Sequence, residues 1–348
     1  MTPPAPLLNQ SAGRPAAPLG RIGMASPSST LTYTRAASDA DRDGIQALFV
    51  RNGHPTFPEV YPRIYGDPGA VSYVARDRDG RVVMHLAAFV REFEYGASAR
   101  RGLLVGDLMV DEPFRDFWGP LKLTRMLLAD AFAHTGADFA ITDPTAPSQG
   151  VVKAAGFAPF AELRRYVLPT SRSYGAVVAL RRRTLPLHSR LVDPLDAEVR
   201  QALEQAPARA HFSPRRSLSF WQTRLGGPAA PQPHAVLVHD ARGLAAAALL
   251  STGTNRRIGD LLDVVAVGAP PRDDVAVVGG IVSAARRLGV RRLNVRALEH
   301  AHATAALLRA GALPRDDRQP IWVHRPRGAA PLPDAEHWLL TSLDGSQW

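Results

Sequence analysis

The chain has 348 residues, 45% hydrophobic and 21% charged, enough for two ordinary domains with their own cores. It has no cysteine, which excludes a disulfide framework, a thiolate metal site and a cysteine nucleophile, and fits a reducing, cytoplasmic setting. The net charge of +10 is uneven: residues 1–170 hold 18 Lys+Arg against 17 Asp+Glu, and residues 171–348 hold 24 against 15.

Residues 1–30, rich in Pro, Ala, Gly and Ser, lack the apolar block of a signal peptide and read as a disordered tail, with Met24 as a second candidate start. Leu31–Ala37 alternates like a strand. Ser38, with Asp41 three residues on, caps a helix whose stripe is Ile45, Leu48 and Phe49 and which Asn52-Gly53 stops. A proline-rich loop follows, then three strands joined by short polar or Gly-bearing turns, the last being Arg100–Val110. A tight turn leads into an amphipathic helix carrying Leu121, Leu123, Met126 and Leu127. Ala137–Asp143 is a strand, Ser148–Gly156 a short helix, and Phe160–Leu168 a closing strand. Residues 171–233 read as a connection with one clear helix, Asp193–Ala206. From His234 the order of three strands, helix, strand, helix and strand returns.

The first copy resembles the GNAT superfamily of acyl-CoA-dependent N-acyltransferases over about 140 residues. The matching residues are Gly106-Asp107-Leu108-Met109-Val110, Glu112-Pro113-Phe114-Arg115, the helix from Gly119, and Asp143–Ser148 leading to Val151–Phe157. The whole chain looks like a tandem GNAT of the kind found in bacterial surface-polysaccharide and secondary-metabolite clusters. The resemblance implies an α/β (α+β) fold of two GNAT-like domains, each a mixed, mostly antiparallel sheet flanked by helices. Their expected spans are residues 31–170, with the acyl-CoA site, and residues 234–348, a degenerate partner.

That resemblance also assigns roles. Coenzyme A would lie along Leu108, Met109 and Val110, with its diphosphate held by Arg115, Phe117, Trp118, Gly119, Leu121 and Lys122, at a helix start whose amides attract anions. Trp118 and Pro120 stand where the family carries small residues, Asp116 adds a negative charge, Thr145 replaces a frequent asparagine and Val152 a frequent tyrosine acid. In the second copy Pro270, Pro271, Asp273 and Asp274 stand where amides and cations are wanted.

Amine acylation needs a base, a donor for the thioester carbonyl and a route for protons. Val110 is expected to supply the donor through its backbone amide. Asp107, an acid within Leu-Leu-Val-Gly-Asp-Leu-Met-Val, is the first candidate base; its alternative is a strand-end carboxylate paired with an arginine such as Arg101. Glu94 and His85 are second choices, and His54, Phe57 and His85 are candidates to line the acceptor pocket. Tyr61 and Tyr65 read as packing. Glu299-His300-Ala301-His302 places two histidines at i and i+2, on different helix faces, so no metal is expected.

The expected reaction moves an acyl group, acetyl first, from acetyl-CoA or another acyl-CoA to a small-molecule primary amine such as an amino sugar. Two alternatives stand beside it: a non-catalytic or acyl-carrier-protein docking module, and an aminoacyl-tRNA-dependent transferase whose basic half meets nucleic acid. Nucleic acid ranks last among the partners. No run of apolar residues approaches the ~20 needed for membrane insertion, and two open sheets that can pair within one chain favour a monomer.

Overall fold

The computed structural model describes residues 30–55, 57–58, 61, 65, 69–171, 187–204, 211–225, 232–252, 257–267 and 274–342. The expected tail and the Pro270–Asp273 stretch lie outside them.

Local chemistry sets the first elements. After β1 (Thr32–Arg35), α1 (Asp39–Arg51) starts with a reciprocal cap. The Ser38 hydroxyl accepts the Asp41 amide at 3.1 Å, and Asp41 accepts the Ser38 amide at 2.8 Å, a device that stabilises a helix start by about 1 kcal/mol. Strands β2 (Ala70–Arg76), β3 (Val82–Tyr95) and β4 (Ser98–Val110) form the expected meander. Its turns place Gly80 and Gly96 at φ 77° and 57°, a region open to glycine. Next come α2 (Trp118–Thr135), β5 (Phe139–Thr142), α3 (Gln149–Ala154) and β6 (Ala158–Pro169).

The second half contains β7 (His188–Val192), α4 (Ala197–Glu204), β8 (Ser213–Pro214), α5 (Leu218–Leu225), β9 (Gln232–Asp240), β10 (Gly243–Thr252) and β11 (Ile258–Ala266). They are followed by α6 (Asp274–Arg287), β12 (Arg292–Leu298), α7 (His302–Arg309) and β13 (Leu313–His324). Strand β7 pairs with β9, so the second repeat reaches back into the segment that reads as a connection.

Among the described residues the strands form one sheet, in the order β1-β2-β3-β4-β5-β13-β6-β12-β11-β10-β9-β7, with β8 on β3. The order is palindromic. Each repeat gives its last strand to the other: β13 lies between β5 and β6, and β6 lies between β13 and β12. β4 and β5 run parallel, as do β11 and β12, while the three central pairings are antiparallel. The β4 and β11 ends therefore point to opposite ends of the sheet.

One apolar layer packs α2 and α3 on the first repeat through Leu123, Leu127, Val151 and Phe157. Another packs α6 and α7 on the second through Val277, Ile281, Ala284 and Leu307. Phe93, Phe139, Phe212 and Trp338 fill the middle, so the C-terminal segment is core. A Cβ on Gly102 would lie 2.5 Å from the Phe139 ring and 2.8 Å from that of Phe93; only glycine lets β4 approach β5 there. The arginines of the exchange seam are mostly neutralised. Arg164 and Arg318 meet Glu299, Arg165 and Arg296 meet Asp317, and Arg318 also meets Glu162.

Candidate active site

Strand β4 pairs with β5 only from Gly102 to Leu104, against Phe139 to Ile141. Beyond Leu104, β5 offers β4 no partner, and residues 106–110 are half-buried. The same stretch carries a bulge against β3: Ala87 faces Gly106 and His85 faces Met109, so Leu86 opposes both Asp107 and Leu108. Asp107 sits at φ 59°, left-handed backbone that aspartate tolerates better than most residues.

Side chains hold this break. His85 is fully buried, and its Nδ1 lies 3.1 Å from the Asp107 carbonyl oxygen. Because that oxygen only accepts, Nδ1 carries the proton and Nε2 faces the Ser72 hydroxyl at 3.4 Å. Burial drives the His85 pKa down to about 4, so the ring is neutral. The edges of Phe49 and Tyr65 pack on it at 5.6 and 5.5 Å.

The Tyr65 hydroxyl donates to Asp107 Oδ2 at 2.8 Å. Sequence reasoning assigned Tyr65 to packing. The spacing of four between Phe57, Tyr61 and Tyr65 was the available signal, since it brings the rings to one side, and Tyr61 and Tyr65 do stack at 4.5 Å.

At the end of β4, the Asp111 amide goes to the Val83 carbonyl. Strand alternation then turns the amide and carbonyl of Val110 to the open side, and Arg115 Nε donates to that carbonyl at 3.0 Å. Arg115 Nη2 reaches Asn52 Oδ1 at 2.8 Å. Asn52 and Arg51 in turn hold Asp111 at 2.7 and 2.8 Å, which ties the end of α1 to the cleft. Met109 packs on the aromatic cluster, whereas Leu108 and Val110 pack toward α2.

The expected diphosphate grip is only partly assembled. Asp116 Oδ1 accepts the Gly119 amide at 2.9 Å, and the Leu121 amide bonds the Phe117 carbonyl at 3.3 Å. Lys122 Nζ sits over the Tyr33 ring at 4.4 Å. Phe117 and Trp118 remain as amide donors, and the Trp118 indole is 65% exposed and meets the Phe117 ring edge-on at 5.3 Å. Of the remaining candidates, Phe57 is buried and stacked on Phe49 at 3.6 Å, and His54 is exposed with its ring edge on Phe49. Glu94 is not brought to the site. It lies nine residues along β3 from His85, roughly 30 Å at a strand's rise, and meets Arg215 at 3.5 Å. Val152 is buried in the core, and among the described residues the hydroxyl bonded to Asp107 is that of Tyr65.

The second repeat repeats the break. β11 pairs with β12 only from Ile258 to Leu261, and the β10 register slips between Leu249 and Leu250. Asp263, two residues past the last pair, is buried. It accepts from Arg216 Nε at 2.6 Å, Trp221 Nε1 at 2.9 Å and Thr341 Oγ1 at 3.2 Å.

No protein-family model and no curated protein matches the sequence. Solved structures do. A GCN5-related N-acetyltransferase from Anabaena variabilis superposes with a TM-score of 0.64 at 13% identity, covering 84% of this chain and 72% of that one. One from Kribbella flavida gives 0.60 at 11%, covering 84% and 72%. Saccharomyces cerevisiae N-myristoyltransferase with bound myristoyl-CoA gives 0.55 at 11%, covering 86% and 80%. At such identities the likeness concerns the backbone, and it extends across both repeats: this chain has the GNAT fold.

Proposed function

We propose that the chain is an N-acyltransferase that moves an acyl group, acetyl by preference, from acyl-coenzyme A to the primary amine of a small acceptor such as an amino sugar. The observation that carries the reading is the break at Asp107. It frees the β4 edge beyond Leu104, turns the Val110 amide outward and sets a carboxylate hydrogen-bonded to a phenol beside that edge.

In this reading the donor's amide-bearing arm adds to the free edge as a short strand. The Val110 amide polarises the thioester carbonyl, and Arg115 fixes the strand end by holding the Val110 carbonyl. Asp107 takes a proton from the acceptor ammonium. Asp107 passes that first proton to solvent; the amine nitrogen bonds the carbonyl carbon, the carbon–sulfur bond breaks, and the second proton, lost by nitrogen after attack, reaches the departing thiolate through Asp107 and Tyr65. The diphosphate meets the Phe117 and Trp118 amides, a smaller grip than the fold usually offers.

The test follows thiol release from acetyl-CoA with a panel of amino sugars and other small amines. Asp107→Asn is expected to lower kcat/KM by about a hundredfold or more. Coenzyme A that neither binds nor is released by the wild type would leave the non-catalytic reading in its place.

A further inference from the structure

The break in the second repeat opens into a cavity of about 160 Å³. Its walls are apolar, with Ala246, Leu261, Val278, Ile281, Val295 and Leu307 among them. An engineered dry cavity of about 150 Å³ with such walls holds benzene. Because β11 runs opposite to β4 in the sheet, this cavity and the Asp107 cleft open at different ends of the strands and do not share a substrate.

The charged groups at its lining are unequal. Asp263 is neutralised by Arg216. Arg296 turns to Asp317 at 3.2 Å and Gln319 at 3.3 Å. His211 lies close enough to Asp274 to feel its charge, and burial outweighs that pull and lowers the His211 pKa. Asp274, the first residue of α6, is exposed at the rim and makes no ion pair among the described residues. A carboxylate there opposes a diphosphate or a carboxylic acid and favours an ammonium.

We propose that this cavity is a second ligand site, taking an organic amine whose apolar body is about the size of a benzene ring. The body fills the space between α6 and β11, and the ammonium sits against Asp274.

Benzylamine, benzyl alcohol and benzoate share one ring and differ in head charge, so calorimetry of the three at pH 7 with the full chain reads the site. The expected order is benzylamine tightest and benzoate weakest, with about fivefold between each and the alcohol and so about thirtyfold between the two. Asp274→Asn should bring benzylamine down to the alcohol, and Ala246→Leu, which fills the space, should abolish all three. Benzoate binding as well as benzylamine, a preference that survives Asp274→Asn, or no binding at millimolar concentrations would each overturn the proposal; a surviving preference would leave Asp274 as a partner of the helix dipole only. Asp107→Asn should change none of these affinities, so failure here is separable from failure at the acyl-transfer site.

Discussion

The two repeats open their sheets in the same way and put an aspartate at each opening, yet the two carboxylates have opposite fates. Asp107 is half-buried, lies in left-handed backbone and takes the Tyr65 hydroxyl. Asp263 is sealed from solvent and locked to Arg216, Trp221 and Thr341. Those partners come from the start of α5 and from the C-terminal segment, so Asp263 ties two remote pieces of chain to the sheet. One backbone device holds a half-buried carboxylate beside an open strand edge in one half and a structural tie in the other. What decides between them is which side chains the neighbouring segments deliver.

The sharpest way to break this contrast is to remove one partner from each aspartate. Arg216→Ala leaves Asp263 as a buried, unpaired charge, a change that costs about 3–5 kcal/mol. Tyr65→Phe removes one hydrogen bond at a half-open site and should cost about 1 kcal/mol. Urea unfolding of both variants checks it. Equal losses would mean that Asp107 is as structural as its counterpart, and the catalytic reading of the first half would go with it.

Acidification probes the first half through His85, and comparison with a His85 variant separates it from the lowered histidines of the second half, His211, His234 and His239. His85 is neutral in the fold, with a pKa near 4, and near 6.5 when exposed. Between those values the unfolded chain binds a proton that the native chain does not, so stability contributed by the neutral ring is full above about pH 6.5 and declines as the pH falls toward 4. The decline amounts to about 3 kcal/mol. A His85→Gln variant should be less stable at pH 7 but should lack that share of the slope. Unfolding curves from pH 7 to 4 that run parallel for both proteins would show that His85 does not hold the Asp107 bulge in neutral form.

Much of this contrast was hidden in the sequence, for identifiable reasons. Elements written in local chemistry were legible: the Ser38–Asp41 cap, the stop of that helix at Asn52-Gly53, and the meander with Gly80 and Gly96 in its turns. The exchange of β6 and β13 was not, because alternation marks a strand without naming its neighbours. An acid in an apolar strand drew attention to Asp107, and the same signal was present at Asp263, where only the fold reveals Arg216 as the partner. Glu94 was misplaced because membership of an adjacent strand says nothing about position along it. Tyr65 was missed because its contact with Asp107 depends on how the aromatic cluster folds the loop between α1 and β2. The diphosphate residues were read as a set, whereas Arg115 and Lys122 each have a partner inside the protein.

The smallest expected effect concerns the helix starts, where the halves agree: Asp116 precedes α2 and Asp274 begins α6. In the first half the Asp116 carboxylate occupies the Gly119 amide, a donor that a diphosphate would use. Asp116→Ala frees that amide and removes a negative charge, worth about 1 kcal/mol at some 4 Å in water-like surroundings. It also removes the carboxylate's hydrogen bond to the first turn of α2, which costs about 1 kcal/mol of stability. The two effects have opposite signs in different measurements: the KM for acyl-CoA should fall about fivefold, within that 1 kcal/mol, while the melting temperature drops. The gain should shrink as salt rises, because it acts between exposed charges. A KM that rises instead would mean that Asp116 shapes the loop for its ligand, and the carboxylate at the start of α2 would then differ in kind from the one at the start of α6.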